Sequence, residues 1–80
     1  MEKRLGAVLI LIEEDGDISR INEIISDHSS LVLGRQGIPM RDRNINVISI
    51  VIEGDTDKIG SLTGKLGRLN GVRVKSLLAG

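Results

Sequence analysis

Two segments of this chain are apolar at nearly every position, and they constrain the fold more than any other feature. Leu5–Ile12 reads LGAVLILI, and Ile45–Ile52 reads INVISIVI. A strand with one face in water alternates apolar and polar side chains, and these two segments barely do so. We therefore expect both to be strands that are covered on both faces. A chain of 80 residues has helix enough to cover about one side of a sheet, so the other side is expected to meet a second copy of the protein.

A single domain over residues 1–80 is marginal by itself. It buries only about 60–65% of the surface of its unfolded chain, and such domains usually depend on disulfides, a metal or oligomerisation. The chain has no cysteine and one histidine, which leaves oligomerisation. We therefore expect a homo-oligomer, either a dimer or a tetramer, with no metal and no cofactor. The lack of cysteine and of a long apolar run favours a cytoplasmic protein that does not enter the membrane.

The order of predicted elements is strand, helix, strand, strand, helix, strand. Glycine, proline and acidic residues separate the segments, and both helical segments carry apolar residues at spacings of three and four. The elements are strand Arg4–Ile12, a helix capped by Asp17 that ends near His28, strand Leu31–Arg35, strand Ile45–Gly54, a helix capped by Asp55 or Thr56, and strand Val72–Leu78.

Two consecutive β-α-β halves predict an α+β fold, the ferredoxin-like βαββαβ sandwich. It has a four-stranded antiparallel sheet in the order 4-1-3-2, with two helices on one face. The opposite face is then left apolar, and an uncovered apolar face of this size is an association site. The predicted interface residues on that face, or their alternates along the same strands, are Val8, Ile10, Ile48 and Ile50. The pattern leaves open which of the two alternating sets faces the helices.

Three glycines, Gly60, Gly64 and Gly67, lie inside the second helix, away from its apolar stripe. Each glycine costs about 0.8–1 kcal/mol relative to alanine in a helix interior, so together they cost roughly 2–3 kcal/mol. Close approach of another subunit would offset this cost, and we include the three residues in the predicted oligomer interface. Contact with a ligand, or simple tolerance of the glycines, are the alternatives.

The turn Asp15-Gly16-Asp17 is the first of two candidate ligand sites. It joins the first strand to the first helix, where free backbone N–H groups attract anions. The acidic side chains around it favour an amino group or a cation instead. The alternative is a structural turn in which Asp17 caps the helix.

Three arginines form the second candidate site. Arg35, Arg41 and Arg43 lie on one predicted loop, and guanidinium groups clamp carboxylates and phosphates with paired hydrogen bonds. They indicate a site for a small anionic effector, and they also motivate a DNA-binding alternative. The net charge of zero and the absence of aromatic residues argue against nucleic acid binding by the chain itself. Solvated charge or salt bridges between subunits are the remaining interpretation.

Little in the chain supports catalysis. There is no cysteine and no tyrosine, and none of the serines lies in a nucleophile-elbow motif. Nothing in the pattern sets two carboxylates across a cleft. The sequence therefore predicts a protein that is not an enzyme.

Two motifs, GRQGIP at Gly34–Pro39 and DKIGSLTGKLGRLNGVRVKS at Asp57–Ser76, resemble those of the small iron-only hydrogenase system regulators. The resemblance extends over essentially the whole chain. It implies a ferredoxin-like domain similar to ACT domains and to the C-terminal ligand-binding domain of nickel-responsive repressors. ACT domains often bind amino acids near the first strand-to-helix turn, which corresponds to Asp15–Ile18 here, although this turn lacks the proline commonly found there.

The resemblance to nickel-responsive repressors does not extend to their DNA contact or metal site. Those proteins bind metal through several histidines and a cysteine, and a ribbon-helix-helix segment that binds DNA precedes the domain. This sequence has one histidine and begins directly at its first predicted strand. We therefore expect a small oligomeric, ligand-sensing regulatory module of an iron-only hydrogenase system. The alternatives are a DNA-binding regulator that acts through the basic loop and a protein that docks on a partner.

Overall fold

The structure is a computed structural model that describes residues 3–79. It contains four strands, two α-helices and two short 3-10 turns. They are β1 (Arg4–Ile12), α1 (Ile18–Asp27), a 3-10 turn (Ser29–Leu31), β2 (Val32–Met40), a 3-10 turn (Arg41–Arg43), β3 (Ile45–Gly54), α2 (Thr56–Gly67) and β4 (Val72–Ala79). The element order is the predicted one.

The four strands form one antiparallel sheet in the order β2-β3-β1-β4. β1 lies in the centre, paired with β3 from Arg4↔Gly54 to Ile12↔Asn46 and with β4 on its other side. The two doubly apolar segments are thus the central strands, and the edge strands are β2 and β4. The prediction of a ferredoxin-like α+β sandwich with this strand order is confirmed.

Both helices begin at an aspartate that accepts a backbone hydrogen bond. The Asp17 carboxylate accepts from the N–H of Arg20 at 3.0 Å, and the Asp55 carboxylate accepts from the N–H of Lys58 at 2.8 Å. Each bond satisfies one of the N–H groups that lack a partner in the first helical turn. After α2 the chain turns at Gly71, whose φ of 71° is the left-handed conformation that glycine adopts without strain.

The helices cover one side of the sheet, and the core lies between them. On the central strands the buried side chains occupy the even positions, and the two helices add their apolar stripes. This side is called the helix side below. The core residues are Val8, Ile10, Ile12, Ile21, Ile24, Ile25, Leu31, Ile48, Ile50, Ile52, Ile59, Leu62, Leu66 and Val72.

The assignment of Val8, Ile10, Ile48 and Ile50 to the uncovered face was wrong. Val8, Ile10 and Ile50 are at most 1% exposed, and Ile48 is 6% exposed, all beneath the helices. Both alternating sets are apolar, so periodicity along the strands could not distinguish them. The alternate, odd-numbered set is the one that lies on the uncovered face.

β2 is longer than predicted and extends through Pro39 to Met40. A proline in a central strand would remove a ladder hydrogen bond, but β2 is an edge strand, where its missing N–H can point away from the sheet. Nearly all of β2 is exposed, because the two helices leave this edge uncovered. As a result Arg35, which was predicted to lie where a short strand passes into a loop, lies inside a longer strand.

Candidate interaction surface and ligand groove

The side of the sheet away from the helices is an apolar surface open to solvent, and we call it the open sheet face. Residues directly opposite each other in the ladder share a face, which places odd-numbered β1 and β3 residues there. Leu9 at its centre is 41% exposed, and Leu77 is 71% exposed. Its apolar members are Leu5, Ala7, Leu9, Leu11, Ile38, Met40, Ile45, Val47, Val51, Leu77 and Ala79.

The size of the open sheet face fits an interface between two proteins. Four strands at ~4.8 Å spacing and eight to ten residues at ~3.3 Å per residue give roughly 500–600 Å² in plan. Two such faces together bury about 1,000–1,200 Å², which reaches the lower end of stable interfaces. Its charged members are Glu53, Arg73 and Lys75, of which Arg73 and Lys75 lie on the edge strand β4. The row through Leu9 also contains the polar residues Ser49 and Gln36.

The three glycines of α2 lie on the outer surface of that helix. A Cβ added at Gly60, Gly64 or Gly67 would have no neighbouring atom within 4 Å. No contact in the described chain therefore compensates for their loss of helix propensity. Their assignment to a subunit interface stays a prediction.

The acidic turn, the first candidate site, is held by the chain itself. Gly16 and Gly71 meet there, because a Cβ on Gly71 would lie 2.5 Å from the Asp15 carboxylate and 3.0 Å from the Gly16 nitrogen. The N–H of Glu13 donates to the Gly71 carbonyl at 2.7 Å. With Asp17 capping α1, the turn Asp15-Gly16-Asp17 fits the structural alternative. Its role in binding a ligand stays a prediction.

The three arginines of the second candidate site do not converge. Arg35 lies on β2, and Arg41 and Arg43 lie in the 3-10 turn that follows it. Arg35 and Arg41 are six residues apart, which is roughly 20 Å in a strand that rises ~3.3 Å per residue. Arg41 instead lines a cavity of about 250 Å³ with Glu13 and Glu14, next to the acidic turn. The expectation that the three arginines share one loop was wrong for Arg35. Their role in binding an effector stays a prediction.

A groove between α1 and β2 was not predicted from the sequence. It runs along the helix side of β2, where α1 does not reach over the edge strand. Two cavities, of about 240 and 410 Å³, meet at Asn22 and Arg35, which line both. We call it the α1–β2 groove and define it by Ile18, Asn22, Arg35, Gly37, Pro39 and Asn46. Gly37, on the helix side of β2, is the residue in the sequence that points to this groove. Its meaning becomes clear only when β2 is known to extend to Met40.

His28, at the end of α1, connects the two helices. Its Nδ1 lies 2.8 Å from the Ile24 carbonyl, to which it donates, and its Nε2 lies 3.3 Å from the Ser61 hydroxyl. Within residues 3–79, no three histidine or carboxylate side chains are grouped to hold a metal ion. No helix in that range is long and apolar enough to cross a membrane.

A solved structure matches nearly the whole chain. The uncharacterized protein TM1266 from Thermotoga maritima is 38% identical and superposes with a TM-score of 0.94, over 99% of this chain and 100% of that one. No match was found among curated proteins.

More distant structures share the fold alone. The C-terminal domain of the MgtC protein from Mycobacterium tuberculosis is 17% identical, with a TM-score of 0.69 over 95% of this chain and 87% of that one. CPII from Thiomonas intermedia, a structure bound to ADP, AMP and acetate, is 15% identical, with a TM-score of 0.52 over 100% and 93%.

The profile of a protein family matches residues 4–76, from the start of β1 into β4. The family is described as "Iron-only hydrogenase system regulator, putative". The match extends over both motifs on which the resemblance was based, and the solved relative covers the same span. The chain therefore belongs to the TM1266-like family, as the sequence motifs predicted.

Proposed function

We propose that this protein is a self-associating, ligand-sensing regulatory module of an iron-only hydrogenase system. It acts in the cytoplasm and is not an enzyme. The observation that carries the proposal is the open sheet face, an exposed apolar patch of the size that marks interaction sites between proteins. A second copy of the chain covers it in a dimer, so that each copy supplies the layer that the other lacks.

Two further observations support a sensing role. The family is described as one of regulators, and the α1–β2 groove offers space for a small molecule beside an arginine. A ligand in that groove would contact both α1 and the edge strand, and its binding would reach the sheet on which the copies meet. Docking on a partner protein is the alternative outcome.

The positions of the arginines argue against the alternative of direct DNA binding. The basic-loop alternative needed Arg35, Arg41 and Arg43 on one surface, and Arg35 instead lies on the helix side of β2, hydrogen-bonded to Asn22. We expect no retardation of the promoter DNA of its own operon in a gel-shift experiment at low salt. Retardation there would revive a transcriptional role.

A thermal unfolding screen against amino acids, nucleotides, small organic acids and metal ions tests the sensing role. A ligand present at ten times its Kd adds about 1.4 kcal/mol to the free energy of unfolding, which is about 6–11 °C in Tm for a domain of this size. We expect at least one class to produce such a shift. If none does so at saturating concentration, sensing is wrong and docking on a partner replaces it.

The glycine face of α2 is proposed as a second contact, which joins dimers into a tetramer. We expect Gly64→Leu to reduce any assembly larger than a dimer to the dimer, because the side chain would separate the two surfaces. The same change favours the helix of the isolated chain by about 0.8 kcal/mol, and no neighbour opposes it. Sedimentation velocity measures the mass. An unchanged mass would mean that the glycines are merely tolerated.

A further inference from the structure

The α1–β2 groove has an apolar floor and a polar wall. Ile12 and Ile48 lie beneath it, and Ile18, which is 43% exposed, overhangs it from the first turn of α1. The polar groups are the side-chain amides of Asn22 and Asn46 and the guanidinium of Arg35. A site with apolar walls and a few convergent polar groups is typical of small-molecule binding.

Arg35 is the source of charge in this groove. Its Nη2 donates a hydrogen bond to the Asn22 amide oxygen, which spans the groove from β2 to α1. Neither of the two cavities that meet there is lined by an acidic side chain. Within residues 3–79 the ion pairs are Arg20–Glu23 and Arg73–Glu13, and neither includes Arg35. The guanidinium has five N–H donors, so it can keep Asn22 and still bind an anion.

Gly37 provides the space beside this guanidinium. It lies two residues from Arg35, on the same side of β2, and directly opposite Ile48 in the ladder. A Cβ added at Gly37 would have no atom within 4 Å, so the space above its backbone is empty of protein. The following residue on that side, Pro39, closes the groove with an apolar ring.

The cavity at Gly37 is large enough for a small ligand. The cavity at Gly37 has a volume of about 240 Å³, equal to about eight water molecules at ~30 Å³ each. A ligand of roughly six to eight non-hydrogen atoms fills it. The Arg35 guanidinium and the neighbouring Asn22 amide match one planar carboxylate, since a guanidinium and a carboxylate pair with two parallel hydrogen bonds. Asn46 lies at the other end of the groove, opposite Pro39 in the ladder. The isoleucine and proline surfaces match a short aliphatic chain.

We propose that the α1–β2 groove binds a small aliphatic monocarboxylate, with its carboxylate on Arg35 and its apolar chain over Gly37, between Ile18 and Pro39. This inference rests on the sensing role proposed above and names the site and the ligand class for it. Binding adds a contact between α1 and β2 beside the Arg35–Asn22 hydrogen bond. The ligand therefore stabilises the otherwise uncovered edge of the sheet.

The experiment follows the backbone amide resonances of ¹⁵N-labelled full-length protein on titration with isovalerate. Gly37 and Ile38 are expected to shift together and to saturate with a Kd of about 1 mM, as suits seven non-hydrogen atoms in an open groove. Two further probes separate the contributions of charge and chain. The neutral isostere 3-methylbutanamide tests the charge, and inorganic phosphate tests whether any anion suffices. Both are expected to bind at least about tenfold more weakly.

Two pairs of variants test the residues. Arg35→Gln is expected to weaken isovalerate binding at least about tenfold, whereas Arg43→Gln, which removes the same charge from the neighbouring turn, leaves it unchanged. Gly37→Val is expected to abolish binding by filling the space. Gly34→Val, on the same strand but on the opposite face, retains it. The added Cβ has no neighbour at either glycine, so both variants should fold.

The inference is overturned if isovalerate does not shift Gly37, if the neutral amide or phosphate binds as tightly, or if Arg35→Gln binds normally. These outcomes are separable from failure of the sensing role. A ligand that raises Tm in the thermal screen, and that does so equally in Gly37→Val, would preserve sensing and exclude this groove.

Discussion

We expect the Leu9→Glu variant to be a folded monomer under conditions in which the unaltered protein is assembled. Leu9 lies at the centre of the open sheet face and is 41% exposed in the single chain. The isolated fold therefore loses little, and the introduced carboxylate lies opposite Lys75, its neighbour in the ladder with β4. In a face-to-face dimer the same carboxylate would be buried against apolar side chains.

The expected size of this effect is large because a symmetric interface contains the change twice. Fully burying an exposed leucine contributes about 1.5–3 kcal/mol. Because Leu9 is 41% exposed in the single chain, assembly buries about two fifths of it, so two copies lose roughly 1.2–2.5 kcal/mol. Desolvating two carboxylates adds to this loss, and together they raise the dimer dissociation constant at least about tenfold. Sedimentation equilibrium over a range of protein concentrations measures it directly.

Ser76→Glu is the matched control. Ser76 is exposed and pairs with Val8, which places it on the helix side of β4. The Ser76→Glu substitution introduces the same charge into the same sheet but on the other face, so the dimer dissociation constant should not change. If Leu9→Glu assembles normally, or if both variants dissociate equally, the open sheet face is not the interface.

We expect Ile10→Ala, one residue further along β1, to destabilise the fold itself. Ile10 is 0% exposed, between the helices and the sheet. Truncation of a buried isoleucine to alanine costs about 2–5 kcal/mol, because apolar contacts are lost and a cavity remains. A domain of this size has about 4–12 kcal/mol in total. Urea denaturation should show a clearly lowered midpoint, and Tm should fall by about 8 °C or more, at ~4–8 °C per kcal/mol.

The two adjacent variants should differ in how Tm depends on protein concentration. Assembly stabilises the folded state by mass action, so the Tm of an oligomer rises with concentration. Ile10→Ala should lower Tm and keep that dependence, because its open sheet face is intact. Leu9→Glu should lose the dependence. If Tm responds identically in the two variants, the assignment of the two faces of β1 is wrong.

The sequence predicted the topology because the apolar pattern, the caps and the turn residues all agree on it. Asp17 and Asp55 mark the helix starts, and Gly71 marks the turn into β4, where the left-handed backbone favours glycine. The two doubly apolar segments could only be central strands. The family motifs led to the same fold by an independent route, and the match over residues 4–76 confirms the family.

The face of the central strands that meets the helices could not be predicted. Leu9 and Ile10 are equally apolar, so alternation along β1 does not distinguish the two faces. The helices decide it: the isoleucines and leucines of both apolar stripes pack on the even-numbered residues. The extent of β2 was also hidden, since Gly34, Gly37 and Pro39 are typical of a loop. At an uncovered edge these residues are tolerated in a strand. β2 therefore extends to Met40, which places Arg35 and Arg41 far apart and leaves the groove between β2 and α1.

Sedimentation velocity of the unaltered protein at micromolar concentration measures most directly whether this chain completes its fold with a second copy. A dimer, or a tetramer built from two dimers, is the expected result, with the mass decreasing only on dilution far below that range. A well-folded single protomer at that concentration would show that the apolar side chains of the open sheet face remain exposed to water, and it would remove the basis of the regulatory assembly.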